Sequence, residues 1–163
     1  MSQPLRDHLT SDPELLALAR SILNEEEYVV EEVHEPISLV LAENRYFLIG
    51  VAATSTIAQL LVAESVAEGM IMQRLTASDA GPKRWDAYLI LLTQERSPET
   101  SDTTRELFNI NYDTTGLRRL AHTGVDATLT AVRQALIPFV APIELDDPSV
   151  ARRSNDTRVV PAW

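Results

Sequence analysis

Two nearly continuous apolar segments constrain the fold of this chain more than any other feature of its sequence. They span residues 46–53 and 87–92, and no charged residue interrupts either of them. A strand that is apolar on both faces belongs in the interior of a sheet, where helices or other layers cover it. Both segments are far shorter than the roughly 20 residues that a membrane-spanning helix needs. We therefore predict a central sheet with these two strands in its interior.

Helical periodicity before the first apolar strand provides part of the cover. Ser11 is a candidate N-cap, Glu14 is its capping-box partner, and Pro13 lies in the first turn. The apolar residues that follow recur at the spacing of one buried helical face, and they are Leu15, Leu18, Ala19, Ile22 and Leu23. The acidic run of residues 25–27 ends this predicted helix.

The remaining elements follow from changes in period and from turn residues. Residues 28–33 and 37–42 are predicted to be extended, and a turn at 43–45 leads into the first apolar strand. A second helix, centred on Leu60, follows the capping run of residues 54–56 and extends to about Arg74. We further predict a strand over residues 106–112, a short helix after Gly116, and a last helix that Asp126 caps and that carries Leu129.

The predicted fold class is therefore α+β, with a central sheet of about four strands flanked by helices. Residues 1–142 are assigned to a single α+β domain. From residue 143 the composition shifts to Asp, Arg, Ser, Asn and Pro, so residues 143–163 are assigned to an extended C-terminal tail.

Charge and composition narrow the classes of function. Acidic residues outnumber basic residues by 24 to 14, which gives a net charge of −10. This charge disfavours direct binding to nucleic acid or to an anionic membrane. The chain contains no cysteine, which excludes disulfides and thiolate chemistry. Its first ten residues contain no apolar run, so we expect no signal peptide and a cytoplasmic location.

No pattern of an active site or a cofactor site is found. The glycines form no phosphate-binding loop, and His8, His34 and His122 have no partner ligand at helical spacing. Metal-dependent nucleases place an Asp on one strand and a Glu-x-Lys motif on the next, but the only lysine here, Lys83, follows Gly-Pro. We therefore assign no catalytic residue, no metal site and no cofactor, and expect the chain not to be an enzyme.

A divergent magnesium-dependent nuclease is the alternative. It would be built around Asp86, Glu95 and an acid of the first helix. A homodimeric sensor of a small molecule is a third hypothesis, although the sequence contains no pattern typical of a ligand pocket.

Two features favour partner binding. The first is a compact basic group formed by Arg118, Arg119 and His122, which the predicted helix would present on its outer face. The second is the apolar end of the tail, with Val159, Val160 and Trp163. The basic group is alternatively an ordinary solvated face, and the tail is either docked on its own domain or bound to a partner.

Two segments resemble a known family of proteins. Residues 85–93, Trp-Asp-Ala-Tyr followed by an apolar run, and residues 111–120, with Asp113-Thr114 ahead of Arg118-Arg119, are similar to motifs of the small middle components of bacterial three-component defence systems. Those subunits act beside a large ABC-type ATPase. Gly116 departs from the family pattern, which favours a basic or β-branched residue there.

The resemblance implies an accessory subunit rather than an enzyme. Its partner would be a large ABC-type ATPase or a nuclease subunit, and it would contact nucleic acid only indirectly. It also implies that Arg118 and Arg119 lie near a partner or nucleic-acid surface.

Overall fold

The computed structural model describes residues 11–77, 87–96 and 117–137, together with positions 105, 107, 109, 139 and 140. The described residues form five strands and three helices, which confirms the predicted α+β fold. In chain order these are α1 (Pro13–Glu25), β1 (Val29–Val33), β2 (Leu39–Glu43), β3 (Leu48–Thr54), α2 (Ile57–Ala77), β4 (Ala87–Thr93), β5 (Arg118–His122) and α3 (Leu129–Ala135).

The five strands form one mixed sheet in the order β1-β2-β3-β4-β5. The first three strands are an antiparallel meander, and β3, β4 and β5 run parallel to one another. The two apolar segments lie side by side as β3 and β4, and every residue of β3 is buried. Their predicted place in the sheet interior is confirmed, while the sheet has five strands rather than about four because residues 118–122 add one.

Helices cover both faces of the sheet, as the two-sided apolar strands require. On the first face, α1 and α3 pack on one core cluster that includes Val40, Val51 and Ile90. On the second face, α2 packs on another cluster that includes Leu41, Leu89 and Leu91. Alternate residues of each strand contribute to the two clusters, because side chains point to opposite faces along a strand.

The start of α1 differs from the prediction by one residue. Asp12, not Ser11, is the N-cap, and its Oδ1 accepts a hydrogen bond from the Leu15 amide at 3.1 Å. Ser11 instead forms a single β-bridge with Thr54, which holds its backbone extended. The predicted buried face of α1 is correct except that Leu18 is half-buried and Leu16 is buried.

Three local predictions in the last third of the chain are wrong. Residues 118–122 form a strand rather than a helix, positions 105, 107 and 109 are helical rather than extended, and α3 has Thr128 rather than Asp126 as its N-cap. The strand at residues 118–122 is hard to predict because its buried position 119 is a charged residue. The remaining apolar residues, Leu117 and Leu120, have the spacing of a helix rather than that of a strand.

None of the helices among the described residues is both long enough and apolar enough to cross a membrane. The predicted tail at 143–163 and His8 lie outside the described residues.

The close approach of β3 and α2 depends on glycine at position 50. A Cβ atom added at Gly50 would lie 2.4 Å from Cδ1 and 2.8 Å from Cγ1 of Ile71, which is fully buried. We expect Gly50→Ala to lower the free energy of unfolding by roughly 1–3 kcal/mol in urea denaturation, since the core must shift to admit the methyl group.

Gly69→Ala is the matched control, because no atom lies within 4 Å of its added Cβ. That glycine is exposed within α2, so alanine should raise the free energy of unfolding by roughly 0.5–1 kcal/mol. Equal stability of the two variants would contradict the predicted contact.

Candidate functional site

Arg118 and Arg119, which were predicted to project together from a helix, point to opposite faces of the sheet. Neighbouring residues of a strand alternate in direction, so β5 separates the two side chains. Arg118 is exposed, whereas only 5% of Arg119 is accessible to solvent. The prediction that both residues lie on an outer face is therefore wrong for Arg119.

Arg119 is held in an ion-pair cluster with two glutamates of α2. Its Nε lies 2.5 Å from Oε2 of Glu64, and its Nη2 contacts Oε2 of Glu68. The two glutamates are four residues apart on the helix, and this spacing puts both carboxylates on one side of α2. A buried guanidinium is tolerated only when carboxylates balance its charge in this way. The cluster fastens α2 to β5, and we assign Arg119 a structural role.

The two glutamate partners were not recognised from the sequence as a pair. Glu64 lies on the predicted apolar stripe of α2, and a charged residue on such a stripe signals a buried ionic partner. The sequence does not show which cation pairs with Glu64, because this depends on how α2 crosses the sheet.

Arg118 contacts an aromatic ring instead of a carboxylate. Its Nη1 donates a hydrogen bond to the Tyr88 hydroxyl at 3.3 Å, and its Cζ lies 5.8 Å from the centre of the Tyr88 ring. Among the described residues no carboxylate forms an ion pair with Arg118. By contrast, four other arginines each pair with at least one glutamate, namely Arg20, Arg74, Arg119 and Arg133. Within the part of the chain that the structure describes, no carboxylate therefore balances the charge of Arg118.

Tyr88 belongs to a cluster of four aromatic rings at the start of β3 and β4. The ring centres of Phe47 and Tyr88 are 6.0 Å apart, and that of Phe139 is 4.5 Å from Tyr88 and 5.4 Å from Phe47. Tyr46 extends the cluster outward, with its ring centre 6.5 Å from Phe47 and 62% of the residue exposed. We refer to Tyr46, Phe47, Tyr88 and Arg118 as the aromatic–arginine surface.

The chain reaches this surface again directly before its tail. Phe139 and Val140 are buried, and the Tyr28 hydroxyl donates a hydrogen bond to the Phe139 carbonyl oxygen at 2.8 Å. Burial also raises the pKa of Tyr28, which keeps its hydroxyl protonated as a donor. Val159, Val160 and Trp163 lie outside the described residues.

His122 does not join Arg118 in a compact basic group. Both residues lie on β5, but four residues of a strand separate them by about 13 Å. Burial lowers the pKa of His122, and its Nε2 has no hydrogen-bond partner among the described residues. Folding therefore favours the neutral imidazole. As the pH falls below the ordinary histidine pKa of 6.5, His122 lowers the free energy of unfolding, because it binds a proton more readily in the unfolded chain. The predicted basic group of three residues thus reduces to Arg118 alone.

The polar groups at the opposite end of the parallel strands are used in local hydrogen bonds. Glu95 Oε1 accepts a hydrogen bond from the Ile57 amide at 2.7 Å, which caps α2. Asp12 Oδ2 accepts a hydrogen bond from the side-chain amide nitrogen (Nε2) of Gln94 at 2.7 Å. Of the two acids that the nuclease hypothesis names, Glu95 therefore has a structural partner, and Asp86 lies outside the described residues.

The nearest cavity to these groups is small. It is lined by residues that include Ser11, Ser38 and Thr54, and its volume of about 10 Å³ admits at most a single water molecule. Within the described ranges, no group of three His, Asp or Glu side chains is arranged to hold a metal ion.

Comparison of the chain with protein-family models, with curated proteins and with solved structures finds no match. The function must therefore be argued from the chemistry of the surfaces described above.

The capping role of Glu95 predicts a loss of stability rather than a loss of chemistry. Glu95→Ala removes the acceptor of the Ile57 amide and should lower the free energy of unfolding by about 1 kcal/mol. Glu95→Gln keeps a side-chain oxygen at the same position and should retain most of that stability. Identical unfolding curves for the alanine variant and the unmodified protein would argue against the cap.

The ion-pair cluster predicts unequal effects for neighbouring arginines. Arg119→Met leaves Glu64 and Glu68 facing each other without a cation and should cost roughly 2–4 kcal/mol in urea denaturation. Arg118→Met, the control, should cost less than about 1 kcal/mol, because it loses one exposed cation–π contact. Adding Glu64→Gln and Glu68→Gln to Arg119→Met should restore part of the loss. A larger effect at position 118 than at 119 would refute the assignment.

Proposed function

We propose that this chain is a non-catalytic accessory subunit that binds a larger protein through the aromatic–arginine surface and the adjoining C-terminal tail. The observation that carries the proposal is the exposed guanidinium of Arg118, which lies over the Tyr88 ring and pairs with no carboxylate among the described residues. Tyrosine and arginine are the residue types that, with tryptophan, contribute most to binding at protein interfaces.

The chemistry of the surface indicates the kind of partner segment. Tyr46 offers an exposed ring with a hydroxyl at its edge, and Arg118 offers an exposed guanidinium beside the Tyr88 ring. A partner that places a carboxylate beside an apolar side chain would satisfy both, since Arg binds carboxylates through two parallel hydrogen bonds. Phosphate of a nucleic acid is a weaker fit, because the net charge of −10 opposes its approach.

The order of residues along the chain supports a combined interface. Phe139 packs against Phe47 and Tyr88, and the tail begins four residues later in the sequence. A tail that carries Val159, Val160 and Trp163 would add apolar contacts next to the Arg118 contact. Two weak contacts on one chain reinforce each other, because the second forms at a high effective concentration once the first has formed.

The partner class comes from the family resemblance of residues 85–93 and 111–120. We propose a cytoplasmic complex for bacterial defence whose large subunit is an ABC-type ATPase or a nuclease. In such a complex the accessory subunit would bind protein, and nucleic acid would be bound by the large subunit.

Affinity purification of the tagged chain from its native host tests this function. We expect the unmodified chain to recover a large ATPase or nuclease subunit, and both removal of residues 143–163 and Arg118→Glu to reduce that recovery at least tenfold. The charge reversal places a carboxylate where the partner carboxylate would bind, so repulsion replaces attraction.

Arg96→Glu is the matched control. Arg96 is equally an exposed arginine without an ion pair among the described residues, but it follows the far end of β4, where Thr93 is about 16 Å along the strand from Tyr88. Circular dichroism would verify that each variant is folded. Equal losses for Arg96→Glu and Arg118→Glu, or recovery of the chain alone in every case, would contradict the proposal.

A further inference from the structure

The strand β1 is an open edge of the described sheet. It pairs with β2 on one side and has no strand neighbour on the other among the described residues. An edge strand presents a row of backbone N–H and C=O groups to which another strand can add. Proteins usually protect such edges with charged side chains, and β1 carries two acids, Glu31 and Glu32.

The charges of these two acids are compensated within the same chain. Arg74 Nη1 lies 2.5 Å from Glu31 Oε1, and Arg20 Nη1 lies 3.2 Å from Glu32 Oε2. Arg74 projects from α2 and Arg20 from α1, so one acid is drawn to each face of the sheet. This arrangement removes most of the repulsion by which an acidic edge would reject a second acidic edge.

The two ends of β1 are complementary to each other. Val29 is 77% exposed, which is more than any other large apolar residue that the structure describes. Near the other end lies a groove of about 290 Å³ whose lining includes Val33, Leu41 and Met70. Val29 and Val33 lie on the α2 side of the sheet with Glu31, because residues two apart on a strand share a face.

We infer that a second copy of this chain adds to β1 as an antiparallel strand, with a two-fold axis at Glu31. In this register Val29 of each copy lies opposite Val33 of the other copy, next to the groove. Glu31 faces its own equivalent, and the two Arg74 side chains flank that pair, so two positive and two negative charges meet at the axis. The contact is isologous, which means that the same surface is used twice and the assembly closes as a dimer. Two five-stranded sheets then form one continuous sheet across the pair of edges.

A basic extended peptide from another protein would be the competing occupant. The compensated charges favour the second copy, because Arg74 and Arg20 already supply the cations that such a peptide would bring. The interface consists of one five-residue strand and its flanking side chains, so its area is small. Interfaces below roughly 1,200 Å² are those of weak, reversible complexes, and the dimer should accordingly form in a concentration-dependent way.

Disulfide trapping gives a sharp test, because the chain contains no cysteine. In the proposed register the Cα atoms of the two Glu31 residues are about 4.5–5.5 Å apart, within the separation that a disulfide spans. Glu31→Cys should form a disulfide-linked dimer under mild oxidation at least tenfold faster than Val62→Cys, a control on an exposed position of α2. Equal rates for the two variants would overturn the inference.

A mixing experiment tests the register and does not disturb the charges at the axis. Val29→Cys and Val33→Cys should cross-link rapidly when the two variants are mixed, and each alone should cross-link slowly. This pattern requires antiparallel pairing, since parallel pairing in register would link each variant to itself. Cross-linking of either variant alone at the rate of the mixture would overturn the proposed register.

Sedimentation equilibrium of the unmodified full chain provides an independent readout. The apparent mass should rise from one chain towards two with increasing concentration, and Val29→Lys should shift the midpoint at least tenfold higher, whereas Val62→Lys should leave it unchanged. A single-chain mass at every concentration up to the millimolar range would overturn the inference. Val29→Lys should still recover the large subunit in the affinity purification, so failure of the dimer and failure of the proposed function give different results.

Discussion

The parallel pairing of β3 with β4 is the constraint on which the rest of the structure depends. Seven consecutive residue pairs join the two strands, from Leu48 with Ala87 to Thr54 with Thr93, and almost all of these residues are buried. Parallel neighbours need a crossover connection, and α2 provides it on one face of the sheet. The opposite apolar face then needs its own cover, which α1 and α3 supply together. The three-layer architecture is thus the consequence of two strands that cannot expose either face.

Because neighbouring side chains of a strand point to opposite faces, the adjacent residues Arg118 and Arg119 of β5 have different roles. Arg119 lies on the α2 side and is neutralised by Glu64 and Glu68, which makes a buried charge tolerable. Arg118 lies on the other side and is matched by the face of Tyr88 rather than by a carboxylate. The two arginines therefore differ in what they can bind, because the guanidinium of Arg119 is buried between two carboxylates and that of Arg118 is exposed.

The distribution of satisfied polar groups indicates where binding can occur. At the carboxyl end of the parallel strands, Glu95 and Asp12 accept hydrogen bonds from the Ile57 amide and from Gln94. Among the described strands the order does not reverse between β3 and β5, and such a reversal is where open α/β sheets bind their ligands. The exposed aromatic rings beside Arg118 and the open edge of β1 are instead at the periphery of the sheet. The two proposed contacts use separate surfaces, so a dimer and a larger complex are geometrically compatible.

The sequence alone determined the fold class and the central position of residues 46–53 and 87–92. A strand that is apolar on both faces must be covered on both faces, so it lies in the interior of a sheet between layers of helices. The buried face of α1 was equally predictable, since a helical period repeats within a few residues and is a local property. The acidic charge and the absence of a motif for catalysis were also properties of the chain itself.

Only the tertiary structure decided the roles of the residues that were candidates for function. Whether Arg119 is a contact residue or a buried ion-pair partner depends on Glu64 and Glu68, about 50 residues earlier, and on how α2 crosses the sheet. The ring that meets Arg118 and the anchoring of Phe139 likewise join segments that are distant in sequence. Residues 118–122 were mistaken for a helix because a buried charge hides the period of a strand. Local sequence patterns thus determined which apolar residues are buried, whereas long-range packing determined which charged residues form ion pairs.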